Sequence, residues 1–400
     1  MGGEGKPNAP GGGPSRGRAF ARGVAVSLVA VVLCLVMLEL ALRWTHAFGA
    51  KRSWSEPDSL IVYRYTPGAT YWHDQENDHP ITGTINAFGW RDRERSLTKP
   101  PGTYRIAFLG DSFVEAFQVE QDSTFLALAE DRLRGETPAS VELMNFGRSG
   151  FTQASEYLVL KHDVMPFDPD AVAVVFVPRN DIADIGRSTA EGALRPFYDL
   201  APDGSLVLDT SFRETREYRT RALVNPLKQG SALVSLLAER YNAFAAGRRR
   251  ARLAAAEGEG VLPGYLTLCT ESPESAFAEN YRLNKAILRA MAEYCRARGV
   301  GFLLVCGDSV HDPEEARRYE EIDDTFDADF FDGDLRSFAD SIGVGYLGLQ
   351  EPFRRAAADD RGPLHWAHWS YAGHRVIAGE ITEMVRRIVE ARDGHRSEEE

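Results

Sequence analysis

The 400-residue chain is poor in cysteine, with Cys34, Cys269, Cys295 and Cys306 alone. No two of them stand in a C-x-x-C or similar spacing, which removes the usual thiolate zinc motifs. Cys34 lies in an apolar run, so the other three can form at most one disulfide, and buried free thiols are the simpler expectation. Positive charge is also scarce beyond the N-terminal region. Residues 1–52 hold seven Lys/Arg against two Asp/Glu, a net +5, while the rest carries 39 bases and 57 acids, a net −18. A body that acidic lacks the basic footprint that a phosphate backbone needs, so nucleic acid is not an expected partner. Its charge serves solubility. Internal repeats are absent, and so, with one exception, are long apolar runs.

The exception is "GVAVSLVAVVLCLVMLELAL", residues 23–42, whose only charge is Glu39. At ~1.5 Å per residue such a helix crosses a ~30 Å hydrocarbon core. Glu39, near its end, can reach the headgroups or pair with Arg43 four residues on. Arg43 and Trp44 then mark the interface. A cleaved signal peptide is the rival, with "AFGA" at 47–50 as a loose cleavage site, but its apolar region would be too long. The expectation is a retained anchor over 19–44. It follows a Gly/Pro-rich, disordered tail at 1–18 that carries Arg16 and Arg18, with Arg22 just beyond. The positive-inside rule puts that tail in the cytoplasm and the following domain on the periplasmic or extracellular side.

After a linker and lead-in over 45–103, short apolar runs alternate with helical stretches. The runs are 104–109, 141–146, 171–177, 301–305 and 344–349, each apolar on both faces. That pattern belongs to parallel strands covered by helices on both sides. Ser123 is positioned to cap "TFLALAEDRL". Leu283, Ile287 and Met291 form one stripe of a helix closed by Gly299. A last helix is expected over about 372–391. The predicted fold is α/β: a doubly wound, five-stranded parallel sheet in a three-layer sandwich over 104–392, with an N-terminal transmembrane helix and its site at the strands' C-terminal ends. An insertion over 185–270 interrupts the alternation, with a hairpin turning at Pro202-Asp203-Gly204 and an amphipathic helix ending in Arg248 to Arg252. Residues 393–400 read as a disordered tail.

Two strands end in G-D-S: Gly110-Asp111-Ser112 and Gly307-Asp308-Ser309. Acyl transfer through serine needs a base for the hydroxyl proton, donors for the oxyanion, and a group that fixes the base's tautomer. Downstream of Ser112 such parts follow in order. Asn145-Phe146-Gly147 closes the second strand, Asn180-Asp181 the third, and "HWSYAGH" from His368 opens the last helix. Ser309 has no such sequel, so Gly307-Asp308-Ser309 reads as a turn, at the end of a neighbouring strand lining the same cleft. Nor does the α/β-hydrolase pattern G-x-S-x-G fit, because Ser112 is followed by Phe113-Val114.

In these blocks the chain resembles the SGNH hydrolases, or GDSL-type esterases and acyltransferases, over roughly 85–390. Gly110-Asp111-Ser112 matches the first block, Gly147 the second, Asn180-Asp181 part of the third, and His368 to His374 the fifth. "NAFGWRDRE" at 86–94 is similar to the segment that precedes the first block in membrane-anchored members. The resemblance implies Ser112 as nucleophile and His368 as base. It implies an oxyanion hole from the Ser112 and Gly147 N–H groups and the Asn180 amide.

Pro178 stands where the family has glycine in its third block. The family's Asp, two or three residues before the catalytic histidine, is replaced here by Trp366 and His365. Asp359 or Asp360 from the preceding loop, a backbone carbonyl, or His365 are the candidate orienters, and His365 is the alternative base. His374 reads as structural. Arg148 and Arg179, beside the oxyanion donors, are either surface residues or contacts for an anionic substrate group. The expected activity is a membrane-tethered esterase working through an acyl-enzyme on an acylated small molecule, lipid or glycan. The alternatives are O-acyl transfer to an envelope polysaccharide, or binding without catalysis because the acid is missing. No cofactor or metal is expected.

Overall fold

The structure, a computed structural model, describes residues 16–45, 54–137, 139–190, 192–256, 260–359 and 362–399. Most of the Gly/Pro-rich tail and Asp360 therefore lie outside the described residues. The apolar run forms α1, Arg16–Thr45. Its Gly17–Thr45 stretch is long and apolar enough to cross a membrane, with mean hydropathy 2.8, a property that anchors and signal sequences share.

Two antiparallel hairpins come next, β1 (Ser55–Asp58) with β2 (Val62–Tyr65) and β3 (Thr70–His73) with β4 (Ile81–Thr84). The chain then runs through β5 (Thr103–Gly110), α2 (Ser112–Glu115), α3 (Phe125–Leu133), β6 (Ser140–Gly147), α4 (Gln153–Val159), β7 (Ala171–Phe176) and α5 (Pro178–Ile185). The hairpin β8 (Phe197–Leu200) and β9 (Leu206–Asp209) turns through Gly204, whose φ of +83° suits glycine. There follow α6 (Arg216–Gly230), α7 (Ala232–Ala256), α8 (Ser275–Arg296), β10 (Gly301–Cys306), α9 (Pro313–Ile322), α10 (Phe330–Ile342), β11 (Gly345–Gly348), α11 (Gln350–Ala358) and α12 (Tyr371–Glu399).

The five long-range strands pair in parallel in the order β11-β10-β7-β5-β6. Alternate residues of each strand feed opposite cores. Ala107, Leu109, Val172 and Val174 pack with Leu158, Ile287 and Met291 on one face. Ile106, Phe108, Ala173 and Val175 pack with Phe125, Ile381 and Val385 on the other. From β5 the chain moves outward to β6, then returns to β7 on the other side. The strand order reverses there, so the crevice of the sheet opens beyond the ends of β5 and β7. Ser112 follows the first of these strands and Asn180 the second. Because β7 lies between β5 and β10, the end of β10 that carries Ser309 is not a neighbour of the Ser112 strand, contrary to the sequence expectation.

Three other expectations change. The N-cap of α3 is Thr124, whose hydroxyl accepts from the Ala127 N–H, while Ser123 ends the preceding 3-10 turn. The helix α12 continues to Glu399 through the segment read as a tail. Residues 54–103 are not a linker. Buried Arg91 donates to the Glu115 carbonyl at 2.8 Å, and the Tyr71 and Phe117 rings meet edge to face at 4.8 Å. The segment is thereby built into the larger of two compact units, Trp54–Asn225 with Ala246–Glu400.

The smaller unit joins α1 to Pro226–Ala245. In it Glu39 pairs with Arg43 at 2.5 Å and accepts from the Ala232 and Leu233 N–H groups at 2.9 and 3.0 Å. A carboxylate in an apolar run is thus placed on the first N–H groups of α7, where a negative charge is favoured.

Candidate active site

At the end of β5 the chain turns into α2 with no room to spare. A Cβ at Gly110 would lie 2.4 Å from Val114 Cγ2, and one at Gly147 would lie 2.6 Å from the Glu115 nitrogen. Glycine at both positions lets the two strand ends close directly on α2. Asp111 caps that turn by accepting from the Phe113 N–H at 2.9 Å. Ser112 then stands as the first residue of α2.

His368 Nε2 lies 2.8 Å from Ser112 Oγ. The carboxylate behind this imidazole is Glu76, 292 residues upstream, in the turn between β3 and β4. Its Oε1 is 2.7 Å from His368 Nδ1, and its Oε2 accepts from the His368 backbone N–H at 2.9 Å. One carboxylate therefore holds both the ring and the main chain of His368. Glu76 sits at φ +70°, a left-handed conformation uncommon for a non-glycine residue. The neighbouring Asn77 secures the turn, its amide donating to Tyr371 Oη at 2.9 Å and to the Gln118 carbonyl at 3.2 Å. The Phe113 ring packs 4.7 Å from the imidazole. Glu76 and His368 side chains are only 16% and 25% exposed, which strengthens their electrostatic coupling.

The other expected residues fare differently. The Asn180 amide donates to Asp111 Oδ2 at 2.6 Å, so Asp111 joins the turn of Ser112 to the start of α5. The Gly147 N–H is held by Asn145 Oδ1 at 2.9 Å and is not an idle donor. Arg148, expected as a surface residue or a substrate contact, is instead a buried structural residue. It is 1% exposed, donates to the Tyr63 and Gly89 carbonyls, and lies 4.1 Å over the Trp90 ring. Arg179 is exposed at the start of α5. His365 does not back His368, for its Nε2 lies 3.3 Å from Asp308. Asp359 closes the end of α11, and the orienting carboxylate is Glu76 instead. His374 is fully buried, its Nδ1 accepting from the Phe125 N–H, and burial pushes its pKa down to about 3. All four cysteines are free thiols.

Beneath the site lies a buried acidic group. Burial, reinforced by repulsion from Asp181 and Asp111, raises the Glu156 pKa well above the carboxylate range. Burial likewise raises Asp181 and Asp111. Neither Glu156 oxygen has a hydrogen-bond partner among the described residues. Folded Glu156 therefore keeps its proton where the unfolded chain has lost it, and stability falls as pH rises from the unfolded value toward the folded one. Glu156→Gln should melt progressively higher than the wild type as pH is raised from 5 to 8. The advantage grows by up to about 1.4 kcal/mol per pH unit for one proton. Thermal melts at several pH values check this, and an advantage that does not change with pH would refute it.

Glu76 was not recognised in the sequence because it lies in the segment read as linker, far from the histidine. The one signal was a polar, acid-rich turn, "DQENDH" at 74–79, between two short strands.

No family model and no curated protein matches the chain. Solved structures similar to it include TesA, 13% identical, covering 71% of this chain and 98% of that one, with a TM-score of 0.36. An acetyl xylan esterase from Geobacillus stearothermophilus is 14% identical over 70% of this chain and 93% of its own, with a TM-score of 0.37. The acetyl xylan esterase AlAXEase is 14% identical over 70% and 99%, with a TM-score of 0.38. At such values the likeness carries no weight for function, which rests on the geometry above.

Proposed function

We propose that the protein is a serine esterase acting through an acyl-enzyme, with Ser112 as nucleophile, His368 as base and Glu76 as the acid of the triad. The observation that carries this is the unbroken hydrogen-bond line Ser112–His368–Glu76, at 2.8 and 2.7 Å. Glu76 holds the proton of His368 on Nδ1, which leaves the Nε2 lone pair facing the hydroxyl. His368 takes the Ser112 proton as Oγ attacks the ester carbonyl, and Glu76 stabilises the imidazolium formed. The oxyanion is met by the Ser112 N–H and by the second N–H of the Asn180 amide, whose first is occupied by Asp111. The Gly147 N–H joins them only by leaving Asn145. His368 then protonates the leaving alcohol, and water, activated by the same imidazole, releases the acid.

The binding-only alternative rested on a missing acid, and Glu76 removes its basis. In this reading α1 is a retained anchor, with the N-terminus cytoplasmic and the esterase on the periplasmic or extracellular side. The bonds from Glu39 and Arg43 to residues 230–233 support retention, since a cleaved leader would forfeit them. The substrate is an acyl ester, and Arg179, exposed beside Asn180, is a cation available to an anionic group on it.

A fluorophosphonate probe tests the proposal. Full-length protein in detergent should gain one phosphonyl group, on Ser112. Labelling should persist in Ser309→Ala and vanish in Ser112→Ala. An unlabelled wild type would end the esterase reading.

A further inference from the structure

The second G-D-S motif takes no part in the chemistry just described, yet its aspartate is the centre of another cluster. Asp308 lies in the turn after β10, His311 three residues on, and His365 in the loop that carries His368. Asp308 Oδ2 is 2.8 Å from His311 Nδ1, and Oδ1 is 3.3 Å from His365 Nε2. One donor atom from each of the three residues lies within 4.8 Å of the other two. The two imidazoles stack at 4.9 Å and 21°, and the fully buried Phe353 ring backs both, at 5.7 and 5.2 Å. The indole N–H of Trp369 donates to Asp308 Oδ1 at 3.1 Å, which orients the carboxylate from outside.

We propose that Asp308, His311 and His365 form a binding site for a divalent transition-metal ion of the zinc class. Two imidazoles and one carboxylate are the ligand set that such borderline-soft ions prefer over magnesium or calcium, which favour oxygen. A tetrahedral ion with bonds of about 2.1 Å needs donors roughly 3.4 Å apart, and the two carboxylate–imidazole separations here are 2.8 and 3.3 Å. The Asp308 side chain is 3% exposed, whereas His311 and His365 are 20% and 24% exposed, so a water can complete the coordination. The Trp369 indole supplies the outer hydrogen bond that ligating carboxylates commonly have. Such an ion ties the His365–Trp369 bridge, on either side of His368, to the tip of β10. Its role is to position the catalytic loop. It lies outside the Ser112–His368–Glu76 line and does not depend on the esterase reading. The competing arrangement is purely protonic, with both imidazoles donating to Asp308.

The experiment is metal titration of the full-length protein, purified in detergent without a polyhistidine tag and stripped with a chelator. Zn²⁺ binding is followed by calorimetry, and Co²⁺ binding by its visible d–d absorption, whose intensity reports coordination geometry. One ion per chain and a melting temperature raised by several degrees are expected. His311→Gln, which keeps a hydrogen-bonding group beside Asp308, and His365→Ala should each weaken binding at least tenfold. Cooperative thermal unfolding of the metal-free variants, followed by circular dichroism, confirms that they are folded. No stoichiometric binding to the wild type, or binding of equal strength in both variants, would overturn the proposal in favour of the protonic cluster.

Discussion

Glu76→Gln is expected to lower kcat for an activated ester by about 10³–10⁴, with KM nearly unchanged. The amide occupies the same volume, so the turn between β3 and β4 should persist. What is lost is specific. A carboxylate accepts hydrogen bonds at both oxygens, and here one takes the His368 backbone N–H while the other faces Nδ1. An amide has one accepting oxygen. If that oxygen stays on the backbone N–H, the NH₂ group faces Nδ1 and selects the tautomer whose Nε2 carries a proton. That nitrogen no longer accepts from Ser112. If the amide flips, the backbone N–H of His368 meets a donor and the loop shifts. Either way the negative charge that stabilises the imidazolium is gone. Steady-state kinetics beside a melting curve checks this, and a loss under tenfold with the fold intact would remove Glu76 from the triad.

The second large effect is a drop of about 10⁴–10⁶ in kcat for Ser112→Ala. The substitution removes one oxygen from a half-buried position and leaves the Asp111 cap and the His368–Glu76 pair in place, so stability should hardly change. The residual rate belongs to water attacking within the oxyanion hole. Members of a triad act as a unit, and their losses do not add. The double variant Ser112→Ala, Glu76→Gln should therefore be no more than a few-fold slower than Ser112→Ala alone. Fully multiplicative losses would show that the two residues act independently, contrary to the line of bonds that joins them.

Much of this protein is legible in its amino-acid sequence. The five parallel strands begin and end within about two residues of the apolar runs read at 104–109, 141–146, 171–177, 301–305 and 344–349. A strand buried on both faces needs an unbroken apolar run, and few other arrangements do. Ser112 and His368 were nominated from motif order and meet at hydrogen-bond distance. Arg148 was misjudged because its neighbours in sequence are loop and glycine. Only packing brings Trp90, Tyr65 and Tyr63 around its guanidinium.

What the order of residues determined by itself was local and periodic: the membrane-length helix, the alternation of strand and helix, and the end of a strand at Gly110-Asp111-Ser112. What only the tertiary structure decided was which distant charges share a histidine. Glu76 reaches His368, and Asp308 gathers His311 and His365, because a hairpin and loops from remote segments converge beyond the C-terminal ends of the strands. Hydrophobic periodicity reports on burial, which each segment expresses alone. A hydrogen bond between side chains 292 residues apart has no periodicity to express, and it exists only once the sheet has closed the distance.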